Sequence, residues 1–459
     1  MNDRNFEGIM NKRVLVVGMG RSGIAAVQAM LKLGAEVSVQ DSKSAEEMDA
    51  QLLTFLQGKG VSCYFHEIPE DTEQFDMLIL SPGVDPELPF IRKAACEGAE
   101  IIGELEIAYR LTKGSFVAIT GTNGKTTTTT LVGEIFKNEK KRTFVVGNIG
   151  VAVISKALEA GEEDWLVTET SSFQLETTRD FKPVVSAILN LTPDHLNRHH
   201  TMEAYAAAKA RIFANQDESG YCVVNYDDKS CYALTRDCRA RVVPFSRKEE
   251  LDFGAFVKDG KLVIADEKGS LTELCGKDEL KIIGEHNVEN ALAAAAVCYF
   301  AGISPETIAK TLRAFGGDEH RLEFSGELDG VSSYNDSKGT NVDAAVIAIR
   351  AMRGGIILIA GGDGKGQSFD ELIDNFDGRV KHMLLMGRDA GIIAEAADRK
   401  GFREYSYCKD MEECVRRAAE LAEPSDVVLL SPACASWDMY DNFEQRGRHF
   451  KDCVKRLGI

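Results

Sequence analysis

Short β-branched runs that stop at glycine or at a polar residue, each followed by an amphipathic stretch, recur along the chain. This alternation constrains the fold more than any other feature. RVLVVG (13–18) leads into IAAVQAMLKLGA (24–35) and then EVSVQD (36–41), a βαβ unit, and DMLILSPG (76–83) is a later strand ending in a turn. A second series opens near residue 105 with SFVAITG (115–121) and a helix from about 125. It continues through DWLVTETSS (164–172) and VVSAILNLTPDH (184–195) to the helical stretches ALAAAAVCYFAG (291–302) and GISPETIAKTLRAF (302–315). A third, from about 317, carries GGIILIAGGDGKG (354–366), VKHMLLMG (380–387) and DVVLLSPACAS (426–436). The alternation predicts an α/β protein with parallel sheets and with ligand residues at the carboxyl ends of the strands. The 459 residues fit three domains, read as 1–104, 105–316 and 317–459.

Composition narrows the function classes. With 54 basic and 72 acidic residues the net charge is −18, which argues against a general nucleic-acid binder, since that work needs a basic face. The longest apolar run, ALAAAAVCYFAGI (291–303), has 13 residues and reads as a buried helix, so no membrane insertion is expected. The opening MNDRNFEGIM has no basic-then-apolar signal pattern, and a cytoplasmic setting is expected. The 11 cysteines include no C-x-x-C pair, so they predict neither a disulfide framework nor a structural zinc site, but small hydrophobes packed in a reducing compartment.

Several polar clusters punctuate the strand ends. GMGRSG (18–23) is a G-x-G-x-x-G turn, with Asp41 at the end of the next strand; alone it suggests a nicotinamide or flavin site, or merely a tight βα turn. In TGTNGKTTTTT (120–130), backbone amides could wrap a triphosphate, Lys125 would neutralise its β/γ oxygens and Thr126 could reach magnesium. Ile119 stands where the usual phosphate loop has its first glycine, and the bland alternative is a threonine-rich helix cap. Glu169 ends LVTE and His195 ends ILNLTPDH, reasonable positions for magnesium ligands or catalytic groups, or for a structural histidine. His199 and His200 read as surface residues, and Lys209, on the alanine-rich EAYAAAKARIF (203–213), as solvent-facing. Asn287 and Asn290 share one helix face. His320–Arg321 could meet phosphates, and Lys365 in GGDGKG (361–366) could hold an anion; loop or cap roles are the alternatives.

Taken in order, GTNGKTT (121–127), ETSSFQLE (169–176), NLTPDHLNRH (190–199), YAAAKARIF (205–213), GEHNVEN (284–290), HR (320–321), NDSKGTN (335–341), GGDGKG (361–366) and SPACASWDMYDNFEQRG (431–447) resemble the Mur ligase family of ATP-dependent peptidoglycan amide ligases. SSFQLE (171–176) and the SPACAS…NFEQRG run resemble most the branch that adds D-glutamate to UDP-N-acetylmuramoyl-L-alanine. The diaminopimelate-adding branch carries D-N-P-R, for which the nearest string here is DNFD (374–377). The resemblance implies a Rossmann-like UDP-sugar domain, a central P-loop-type ATP domain and a Rossmann-like amino-acid domain in a cytoplasmic enzyme, expected to act as a monomer.

By that likeness Arg21, Ser22, Asp41, Ser42, Lys43, Ser81, Pro82, Gly83, Asn148, Ser171 and Gln174 would hold the UDP-sugar substrate. Lys43 stands where an arginine is common. Gly121, Thr122, Asn123, Gly124, Lys125, Thr126, Thr127, Asn287, Asn290, Arg321 and Asp336 would hold ATP, and Lys338, Thr340, Lys365, Ser436 and Phe443 would hold D-glutamate. Lys209 matches the family lysine that is carbamylated; as a carbamate it would bind Mg2+ with Thr126, Glu169 and His195, whereas a bare ammonium offers only donors. Lys125, Glu169, His195 and Lys209 are the expected catalytic group. Two rivals account for less of the chain. A folylpolyglutamate-type ligase lacks this kind of N-terminal domain. A nicotinamide oxidoreductase leaves the phosphate loop and the third segment unexplained. A non-catalytic nucleotide-binding regulator would not need Lys125, Glu169, His195 and Lys209 together.

Overall fold

Among residues 8–317, 319–352 and 354–458, which the computed structural model describes, the strands form three sheets, each built from one stretch of chain. The start of the segment read for a signal peptide, residues 1–7, lies outside this range, as does the side chain of Asn197. The first sheet contains β1 (Arg13–Val17), β2 (Glu36–Asp41), β3 (Ser62–Phe65), β4 (Met77–Leu80) and β5 (Glu100–Gly103), all parallel in the order β3-β2-β1-β4-β5. Alternation along β1 supplies both faces: Val14 and Val16 join the cluster that includes Ala26, Val27 and Met30 of the helix Arg21–Lys32. Leu15 and Val17 pack with Phe90, Ile91 and Ala94 of the helix Pro89–Cys96.

The second sheet contains β6 (Ser115–Thr120), β7 (Thr143–Gly147), β8 (Trp165–Glu169), β9 (Val185–Ile188), β10 (Tyr221–Asn225), β11 (Arg241–Ser246), β12 (Gly254–Lys258), β13 (Lys261–Ala265) and β14 (Leu271–Gly276). Its order is β14-β13-β12-β11-β10-β9-β6-β8-β7. The third contains β15 (Glu323–Leu328), β16 (Val331–Asn335), β17 (Ile356–Gly361), β18 (Val380–Met386), β19 (Tyr405–Tyr407) and β20 (Val427–Leu430), in the order β15-β16-β20-β17-β18-β19.

The expectation of parallel sheets needs correction at two edges, where β12–β13–β14 and β15–β16 run antiparallel. Both hairpins β12–β13 and β15–β16 turn on Asp-Gly. Asp259 and Gly260 have φ of 48° and 74°, and Asp329 and Gly330 have 50° and 79°, the left-handed pair that matches the twist of an antiparallel ribbon. The chain divides into two compact units: residues 1–277 with 288–312 hold the first two sheets, and residues 278–287 with 313–459 hold the third. All 11 cysteines are free, and eight are buried. Among the described residues no helix is long and apolar enough to cross a membrane.

Candidate functional site

The carboxyl end of β6 runs into the loop 121–124 and then the helix Lys125–Asn138, so the first amides of that helix head a strand–loop–helix turn. Gly124 has φ 79°, and a Cβ there would lie 2.2 Å from Asn290 Oδ1, so only glycine fits. Two lysine side chains converge on one carbonyl: Lys125 Nζ donates to Gly121 O at 2.9 Å and to Thr122 O at 2.7 Å, and Lys209 Nζ donates to Gly121 O at 2.8 Å. The solvent-facing reading of Lys209 is therefore overturned; it is 1% exposed, with Nζ 4.5 Å from the Tyr205 ring centroid. Burial, reinforced by the like charge of Lys125, lowers its pKa to about 7, so a large fraction is the neutral amine at neutral pH.

Beside β6, β8 delivers Glu169 opposite Ile119. Glu169 is 1% exposed; its Oε1 accepts from Asn148 Nδ2 at 2.7 Å, and its Oε2 is buried without a hydrogen-bond partner. An orphaned carboxylate oxygen of this kind suits a cation. β9 stops at Ile188, seven residues short of His195, which instead sits in a loop at φ 53° before the short helix Leu196–His199. Its ring is half exposed, 3.4 Å from Asp194 and 5.0 Å from the Phe173 ring centroid. His199 is not a surface residue. It is 6% exposed, with Nε2 2.9 Å from Ser172 Oγ and Nδ1 3.2 Å from Glu176, and burial lowers its pKa. His200 is exposed as expected. Among the described residues no three His, Cys, Asp or Glu side chains form a group that could hold a metal ion.

Asn190, absent from the expected site, organises the loop. Its Oδ1 accepts from the amides of Thr122 at 3.0 Å and Asn123 at 2.8 Å, and its Nδ2 donates to Asn123 O at 3.0 Å. Those two amides are thus engaged by the protein itself. Thr122 Oγ1 donates to Thr192 O, and Asn290 Oδ1 accepts from Thr128 Oγ1.

A cleft of about 910 Å³ opens at the carboxyl ends of β1, β2 and β4 and is shared by Asn148 and Gln174 from the second sheet's segment. Arg21, Ser22, Asp41, Ser42, Ser81, Pro82 and Gly83 line it, as do Gln40, His66 and Phe90, which the sequence reading did not single out. Arg21 donates to Gly150 O at 2.9 Å. Asp41 is turned inward, accepting from Met19 N at 2.6 Å and Lys43 N at 2.9 Å, and Ser81 Oγ donates to Gly18 O. Lys43 is exposed and does not line the cleft, and Ser171 caps the helix Ser172–Glu176 through Gln174 N.

In the second unit the expected residues gather at the carboxyl ends of β16, β17 and β20. Asp336 is buried beside Ser431 Oγ at 2.7 Å, and desolvation raises its pKa to about 7. Ser436 is buried, and Lys365 Nζ lies 4.8 Å from the Trp437 ring centroid. Lys338 N donates to His320 O, Thr340 N to Lys338 O, and the Phe443 ring lies 6.2 Å from that of His320. Arg321 is exposed, and Asn287 Nδ2 donates to Ile283 O at 2.7 Å. Arg446, unremarked within NFEQRG, is 1% exposed; it donates to Ser337 Oγ and O and to Cys434 O, keeps a buried, partnerless Nη1, and is lowered by burial to about 10.

Family models match along most of the chain: a Mur ligase MurD-like N-terminal domain at 12–103, a Mur ligase middle domain at 119–298 and a Mur ligase glutamate ligase domain at 320–434. The chain is 48% identical over 452 residues to the UDP-N-acetylmuramoylalanine–D-glutamate ligase of Alkaliphilus metalliredigens, covering 98% of this chain and 99% of that one. It is 46% identical over 451 residues to the ligase of the same name from Clostridioides difficile, covering 98% and 99%. Among solved structures, the UDP-N-acetylmuramate-alanine ligase of Thermotoga maritima shares the fold with a TM-score of 0.57 at 19% identity, covering 98% of this chain and 99% of that one.

Proposed function

The chain belongs to the Mur ligase family, and on that premise we propose that it joins D-glutamate to UDP-N-acetylmuramoyl-L-alanine, converting ATP to ADP and phosphate, in peptidoglycan precursor synthesis. The observation that carries this reading is the convergence of Lys125 and Lys209 on the Gly121 carbonyl oxygen, one strand away from the half-satisfied Glu169. Segments 1–104, 105–316 and 317–459 would take the UDP-sugar, ATP and D-glutamate.

The alanyl carboxylate oxygen attacks the γ-phosphorus of ATP, ADP leaves and an acyl phosphate forms. The amine of D-glutamate then attacks the acyl carbon, loses a proton, and phosphate departs from the tetrahedral intermediate. Two anions must meet in the first step, so Lys125 at the head of its helix neutralises phosphate charge while the amides after Gly124 orient it. The neutral amine of Lys209 can add to CO2, forming an N–C bond and releasing one proton, which turns a neutral amine into a carbamate anion. That carbamate, with Glu169, His195 and Thr126, would hold Mg2+, which supplies Lewis-acid stabilisation of the transferring phosphoryl group. Asn148 fixes Glu169 and also lines the large cleft, so the sugar end of the substrate and the cation site would share one residue. Lys338 and Lys365 suit a dicarboxylate amino acid.

The test is phosphate release from ATP with UDP-N-acetylmuramoyl-L-alanine, with D-glutamate, L-glutamate, diaminopimelate or no amino acid. Release that requires both the UDP-sugar and D-glutamate is expected. Release with a different amino acid would overturn the substrate, and no release with any pairing would overturn the ligase reading.

A further inference from the structure

His195 has little to hold it. Its ring is half exposed, its backbone is left-handed, and among the described residues its one polar side-chain contact is Asp194 at 3.4 Å. Its nearest ring is Phe173, 5.0 Å away between centroids, with Tyr205 edge-on at 6.5 Å. Phe173 is held in turn: His199 stacks on it at 5.4 Å with an interplanar angle of 12°, and the Arg198 guanidinium lies 5.6 Å from its centroid. His199 cannot rotate freely, because a neutral ring carrying its proton on Nδ1 donates to Glu176 and accepts from Ser172 Oγ through Nε2. Glu176 is itself paired with Arg198 at 2.9 Å, and Arg198 also donates to Val84 O, on the wall of the large cleft.

Serine, histidine and glutamate in this order resemble a nucleophile relay. Ser172 is only 2% exposed, however, so its hydroxyl has no access to a substrate, and the line serves to hold a ring in place. We propose that His199 is a positioning residue for His195, acting through Phe173 and locked by Ser172 and Glu176. The inference builds on the reading that His195 works at the reaction centre, and it adds a device that spacing along the sequence did not reveal.

The test uses the full chain with 15N-labelled histidine, His195→Ala serving to assign the His195 ring signals. In His199→Gln, which keeps polar reach but removes the flat face, those signals should shift, and kcat should fall about tenfold with KM for ATP within about twofold. His199→Phe, which restores a face, should return the signals and most of kcat. Should His199→Gln not fold, as judged by its thermal melt, Phe173→Leu removes the platform directly and the same shift is expected. Unmoved His195 signals in whichever variant folds would overturn the inference whatever happens to kcat. Full turnover in His195→Ala would instead overturn the catalytic reading, and the ring signals would still decide the positioning.

Discussion

The first and second sheets use the same device, a strand that breaks into a glycine loop and restarts as a helix, and put it to different ends. At β1 the loop is closed by the protein's own groups: a Cβ on Gly23 would lie 1.9 Å from Gly18 O, Asp41 takes the Met19 amide and Ser81 takes the Gly18 carbonyl. A wide cleft opens beside it. At β6 the loop is pinned from behind by Asn190, and its carbonyls face two lysines. A glycine pattern therefore says where backbone can approach a ligand closely, while the side chains around it decide whether the turn carries charge for chemistry or only shape for binding.

Removing the charge chemistry from the second loop is the hardest blow to this contrast. Lys209→Ala and Lys209→Arg should each lower ligase turnover by about 10³-fold, since neither side chain can become a carboxylate. Uptake of 13CO2 at Lys209, followed by the carbamate carbon signal, should rise between pH 6 and 8. The sign follows from the pKa of about 7: protons leave the amine as pH rises through it, and only the neutral amine adds CO2. A Lys209→Arg enzyme with near-normal turnover would remove the distinction between the two loops.

Asn190→Ala comes next. It strips the acceptor from the Asn123 amide, while the Thr122 amide keeps its bond to the Asn190 backbone O at 3.1 Å, and a loss of about 2 kcal/mol would raise KM for ATP about 30-fold. KM for the UDP-sugar should move less than about threefold. The matching cut in the first loop is Asp41→Asn, where one amide donor must face another. With a cost of about 1 kcal/mol, KM for the UDP-sugar should rise about fivefold while that for ATP stays fixed. If both variants changed both constants alike, the loops would not be separate binding elements.

The three βα series were legible because strand and helix periods differ, and the glycine loops because few residues tolerate their backbone. What stood behind the loops was less so. The alanine-rich surroundings of Lys209 suggest a solvent-facing side chain, yet Tyr205, Ala208, Lys209 and Ile212 fall at i, i+3, i+4 and i+7 and are all buried. That spacing is the apolar face of a helix, and a lysine on it is a buried lysine. The Asp-Gly pairs at 259–260 and 329–330 likewise announced two antiparallel hairpins. Asn190 and Arg446 carried no such signal. Their partners, Thr122 and Asn123 in one case and Ser337 in the other, are about 70 and 109 residues away, and only the folded chain brings them together.

The smallest effect is expected at Lys43, and it bears on how far the first loop extends. By resemblance Lys43 meets the UDP-sugar; in the structure its side chain is exposed and off the cleft lining, and its charge lies near Glu47, which closes a capping box with Ser44. An exposed ammonium in that position contributes about 0.5 kcal/mol or less to binding an anion, so Lys43→Ala should raise KM for the UDP-sugar by less than about twofold. Whatever effect there is should fade in 0.5 M salt, where the screening length shrinks to about 4 Å. A salt-resistant rise of tenfold would mean that the Asp41–Glu47 segment folds over the ligand and desolvates the lysine. The first loop would then bind its substrate through a buried charge.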